Sequence, residues 1–88
     1  MMDRETLPMV MASMMQLALD KNSHKGTWSH CRPSWLLRRL ETEVRELRRA
    51  VRKREPASRV WQEAADVANF AAMVADVVGD RQGKRRGQ

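Results

Sequence analysis

Apolar residues recur at three- and four-residue steps in three stretches of the chain, the period of an α-helix with one buried face. In the first stretch, from about Arg4 to Asp20, Met11, Met14, Met15, Ala18 and Leu19 share a face, and Pro8 is tolerated only within the first turn. The second opens after Pro33, with Ser34 as the expected N-cap, and runs to about Arg54. Leu36, Leu37, Leu40, Val44, Leu47 and Val51 form its core stripe. Pro56 ends it, and the third helix is expected from Ala57 to about Val78. Apolar residues from Val60 and Trp61 through Val74 and Val78 surround most of that third helix, leaving a polar strip of Gln62, Glu63, Asp66 and Asn69.

The pattern predicts an all-α fold in which three main helices form an antiparallel bundle. A helix that is apolar nearly all round is normally buried, and in 88 residues neighbouring copies are the expected cover. The expectation is therefore a bundle completed by homo-oligomerisation, as dimer or tetramer, through the third helix. A chain of this size buries only about 60 to 65% of its unfolded surface, so association also relieves a marginal core. One domain is expected over residues 1–80, followed by a basic, disordered tail over 81–88.

Composition narrows the setting. Cys31 is the sole cysteine, which rules out a disulfide within the chain and suits a reducing cytoplasm. Nothing approaches the roughly 18 consecutive apolar residues of a membrane span. The apolar stretch Leu7 to Leu19 follows acidic Asp3 and Glu5, and so does not read as a signal peptide. Seventeen Lys and Arg against eleven Asp and Glu give a net charge of +6, which suits a polyanionic partner. A small basic helical protein that binds nucleic acid is accordingly the rival to any enzymatic reading, and a structural partner protein is a third. Against nucleic acid, the chain has no recognition-helix or zinc-finger pattern, and acids interrupt its basic surface.

Those acids carry the candidate chemistry. Glu43 and Glu46 lie three apart in the second helix, Glu63 and Asp66 three apart in the third, with sixteen residues between the pairs. Residues three apart share a helical face, so two facing helices would converge four hard oxygen donors, a set suited to Mg²⁺ and through it to phosphate chemistry. Glu43 falls beside Leu36, Leu40 and Leu47 at the stripe's edge, Glu46 just outside it, and most arginines lie opposite. The bland alternative is ion pairing: Glu41 with Arg45 along the helix, or Arg39 and Arg48 reaching across to the acids of the third helix. Glu63 and Asp66 weigh against it, because their helix is otherwise hydrophobic and buried carboxylates need a cation.

The connector from Asn22 to Pro33 concentrates His24, Lys25, Trp28 and His30. Lys25 is suited to hold a phosphate, Trp28 to stack on a base, and Asn69, one turn beyond Asp66, to bond sugar or base. Their bland readings are a surface lysine, a core-closing tryptophan and a tolerated polar residue. His24, His30 and Cys31 match no zinc spacing and lack a fourth ligand. No Gly-rich phosphate loop or nucleophile elbow is present.

Taken together, Asn22 and His24 to Trp28, then Trp35 to Leu47, then Glu63 to Met73, resemble the MazG-like all-α nucleotide pyrophosphohydrolases, especially the short bacteriophage-type members. The likeness covers roughly residues 10 to 79. That family's pattern is EExxE followed by ExxD, and Glu43, Glu46, Glu63 and Asp66 match it position by position, whereas Thr42 stands in place of the first acid. Thr27 stands where a second glycine is common. The resemblance implies hydrolysis of a nucleoside triphosphate between its α- and β-phosphates, yielding a monophosphate and pyrophosphate. It implies the four acids as ligands of Mg²⁺, with Mn²⁺ as a substitute, and Lys25, Trp28 and Asn69 as substrate contacts.

Overall fold

The computed structural model describes residues 1–83, which form three long helices and one short turn of 3-10 helix. Helix α1 spans Thr6–Lys21, a 3-10 turn Ser23–Lys25, α2 Pro33–Arg52 and α3 Ala57–Arg81. No helix among these residues is long and apolar enough to cross a membrane. The all-α fold expected from the periodicity is the fold observed.

The helix starts follow from local chemistry. Asp3 Oδ1 accepts from the Thr6 backbone N–H at 2.8 Å, satisfying one of the donors that a helix start leaves open. Pro8 then falls inside the first turn of α1, as its missing N–H requires. Ser34, the expected cap of α2, is instead already helical: Arg32 holds the cap position and Pro33 is the first helical residue. The fixed φ of proline is preorganised for that position, and this outweighs the capping preference of serine. Helix α2 ends two residues earlier than expected and α3 continues three residues further, to Arg81. Arg81 thus belongs to a helix and not to the tail; residues 84–88 of the expected disordered tail lie outside the described residues.

Helix α3 is the centre of the molecule. It packs along α2 and also against α1, whereas α1 and α2 do not pack on each other. Four residues separate α2 from α3, a connection that folds neighbouring helices back antiparallel. Leu36 of α2 is wholly buried and, among the described residues, is the only large side chain so enclosed; Ala50, Ala65 and Val77 join it in the core.

Burial divides the expected stripe of α2. Leu36, Glu43 and Ala50 are buried, and Leu40 and Leu47 are half-buried, while Leu37, Val44 and Val51 remain exposed. The core-facing line runs through Glu43, so the acid at the stripe's edge displaces Leu37, Val44 and Val51 from it. The nearly continuous apolar surface of α3 is largely answered inside the chain, with α1 on one side and α2 on the other. Among the described residues, the large apolar side chains left exposed lie on α1, on α2 and at the N-terminus, and none lies on α3.

Candidate metal centre

Three of the four acids meet between α2 and α3. Glu43, Glu63 and Asp66 each offer a carboxylate oxygen within 4.8 Å of the other two. Glu43 and Glu63 are buried and Asp66 is half-buried. Glu46 stands apart from this set: its carboxylate lies 3.6 Å from Arg49 on the exposed side of α2, although it lines the same cavity. Magnesium binds oxygen at about 2.0 to 2.1 Å, so ligand oxygens around one ion are separated by at most about 4 Å. A contraction of under about 1 Å, within reach of carboxylate torsions, closes the three oxygens on a hard divalent cation. The donor set therefore fits Mg²⁺ or Mn²⁺.

Two arginines attend the acids. Arg39 Nη2 donates to Glu43 Oε2 at 3.2 Å while its guanidinium lies 5.3 Å from the centre of the Phe70 ring, tying α2 to α3. Arg59 Nη2 pairs with Glu63 Oε2 at 2.9 Å. Both pairs join residues four apart on a single helix. Among the described residues, cross-helix pairing is absent for Arg39, whose ion pair stays on α2, and for Arg48, which forms none. Asp66 forms no ion pair among the described residues.

Burial pushes the Glu43 carboxyl above its ordinary value; the neighbouring Asp66 charge adds to that effect and Arg39 opposes it. The Asp66 carboxyl is raised chiefly by burial, against the pull of Arg59, Lys21, Arg39 and Lys25. Despite the arginines, burial outweighs the nearby positive charge at both carboxyls.

Open space adjoins the cluster on two sides. One cavity, of about 780 Å³, is walled by Met14, Leu17, Ala18 and Lys21 of α1, with Thr42, Glu43, Glu46, Arg59, Gln62, Glu63 and Asp66 opposite. A second, of about 800 Å³, contains Lys25, Trp28, Arg39, Asn69 and Phe70 and shares Glu43 and Asp66 with the first. All three expected substrate contacts therefore line one space that opens onto the carboxylates.

Their anchoring differs. Trp28 Nε1 donates to Asp76 Oδ2 at 2.9 Å, which fixes the connector onto α3. Asn69 is buried and donates through Nδ2 to the Met15 carbonyl oxygen at 3.1 Å, so it joins α1 to α3 as well as lining the cavity. Lys25 is exposed at the end of the 3-10 turn.

Arg39, Arg59 and Phe70 did not figure as site residues in the sequence. The two arginines were legible from spacing, since each lies four residues before its glutamate. Phe70 has no such signal, because only the packing of α3 on α2 places it under Arg39. Comparison with family models, curated proteins and solved structures gives no match.

Proposed function

We propose that the chain is a magnesium-dependent nucleoside triphosphate pyrophosphohydrolase, converting (d)NTP to (d)NMP and pyrophosphate. The observation that carries this reading is the junction of the two cavities at Glu43 and Asp66. There a cluster of hard oxygen donors adjoins a space that also holds a lysine, an arginine and an aromatic platform. The resemblance to the MazG-like family supplies the bond that is cleaved.

Glu43, Glu63 and Asp66 would hold the metal, with Glu46 at the margin of the same cavity. When bound, Mg²⁺ neutralises phosphate charge and acidifies a water. Lys25 places a mobile cation where the polyphosphate lies, and Arg39 holds a second at the border between acids and pocket. Trp28, held by Asp76, presents a fixed ring for a base to stack on. Asn69 has its nitrogen committed to α1 and retains its oxygen for the sugar or base. Asp66, which forms no ion pair among the described residues, has a second carboxylate oxygen suited to accept the proton that the attacking water loses. We place this activity in the cytoplasm, where free Cys31 stays reduced.

The test is release of pyrophosphate from each nucleoside triphosphate in the presence of Mg²⁺. Alanine in place of Glu63 or Asp66 is expected to lower turnover at least about 100-fold, because metal charge stabilisation is worth several kcal/mol and each 1.36 kcal/mol is tenfold. Helical circular dichroism should be retained. Unimpaired turnover in both variants would refute the assignment, and DNA retention without turnover by the wild-type protein would replace it with the nucleic-acid reading.

A further inference from the structure

Helix α2 has two lines of residues spaced by seven, and among the described residues the chain covers one of them. Leu36, Glu43 and Ala50, seven residues apart, are buried on the side that carries α3. Leu37, Val44 and Val51, also seven apart, stay 46%, 37% and 59% exposed. Seven-residue spacing keeps side chains on one line between two supercoiled helices. At 1.5 Å per residue this seam runs about 21 Å, with Leu40 and Leu47 half-buried along its inner edge. Helix α1 does not reach it, since α1 packs on α3 and not on α2.

We infer that the seam pairs with the same seam of a second copy, antiparallel, about a two-fold axis passing at Val44. Leu37 and Val51 are each seven residues from Val44, so the rotation sets Leu37 of one copy over Val51 of the other, and Val44 over Val44. An interface of this kind must complement itself, and the charges do. In an antiparallel pair each flank of the seam meets the same flank of the other copy. The outer flank carries Glu41, three residues before the axis, and Arg48, four after it. Rotation brings Glu41 of each copy beside Arg48 of the other, twice per dimer.

Both residues are exposed, and neither makes an ion pair among the described residues. Arg45, the expected helical partner of Glu41, instead donates to Thr42 Oγ1 at 3.3 Å. A parallel pairing would turn the outer flank toward the partner's inner flank of Leu36, Glu43 and Ala50, which is already closed by burial.

Sedimentation velocity over a concentration series tests this, on protein whose helicity is checked by circular dichroism. The wild-type chain is expected to self-associate, and Val44→Asp, which sets two carboxylates face to face at the axis, to abolish that contact. Glu41→Arg or Arg48→Glu alone should weaken association about tenfold, by turning two attractive pairs into two repulsive ones. Mixing those two single variants should restore it, because each then presents what the other lacks. A wild-type monomer at every concentration, association indifferent to Val44→Asp, or a mixture no stronger than its components would each overturn the inference. Recovery on mixing depends on the α2 contact alone and on no property of the carboxylate cluster.

Discussion

Glu43 and Asp66 make the protein's response to acid a readout of its site. Both carboxyls are raised by burial, so the folded chain binds protons more tightly than the unfolded chain does. Across the interval from the ordinary carboxylate range, about pH 4, up to the raised values, the native state carries more protons, and stability falls as pH rises. Asp3 acts with the opposite sign, because its exposed carboxyl is lowered by the bond that it accepts from Thr6. Comparison of wild type with Asp66→Asn separates the two contributions. In chelator, the thermal midpoint of the variant is expected to gain on the wild type as pH rises from about 4 through the raised values. Adding Mn²⁺ at neutral pH should raise the wild-type midpoint and leave the variant little changed, since only ionised carboxylates bind the ion. A variant that tracks the wild type across the whole interval would show that Asp66 carries no such strain.

At the level of elements, the turn after α2 shows where a local rule is broken. Arg54 sits at φ 54°, in the left-handed region that favours glycine. Its N–H donates to the Val51 carbonyl at 3.1 Å and that of Glu55 to the Ala50 carbonyl at 3.0 Å, which together form a Schellman cap. A side chain in this conformation costs roughly 1 to 2 kcal/mol, partly offset by the greater entropy that glycine loses on folding. Arg54→Gly is therefore expected to stabilise the protein by up to about 1 kcal/mol in urea unfolding, with no change in helix content. A loss of stability would mean that the arginine side chain contributes more than its backbone strain costs.

The same turn marks how far the sequence could be read. Pro33 and Pro56 punctuate the chain strongly enough to give three helices with ends good to a few residues. The cap at Arg54 leaves no trace, since no glycine marks it. Spacing placed Glu43, Glu63 and Asp66 on facing sides, and those three do converge. It did not separate Glu46 from them, although Arg49, three residues further along α2, is the partner that Glu46 takes at 3.6 Å. Nor could it tell which of two seven-residue lines of α2 faces inward. Leu36 and Leu37 are equally apolar, and only the packing of α3 shows that the line of Leu36, Glu43 and Ala50 is the buried one.

Over the whole molecule, support is unequal. Helices α2 and α3 share the principal seam, whereas α1 packs on α3 and not closely on α2. Hydrogen exchange is therefore expected to be fastest, among the three helices, in α1, with α2 and α3 protected together. Addition of Mn²⁺ and a non-hydrolysable triphosphate should slow α1 exchange, because Met14, Leu17, Ala18 and Lys21 wall the carboxylate cavity. Equal protection of all three helices in the free protein would contradict this ranking.

The lone seam that fastens α1 thus sets the breadth of the chamber around the acids. On the proposed function, rocking that one rod would admit and release a bulky polyphosphate while the α2–α3 pair keeps its carboxylates in register, so that widening the chamber would leave the geometry of the acids intact.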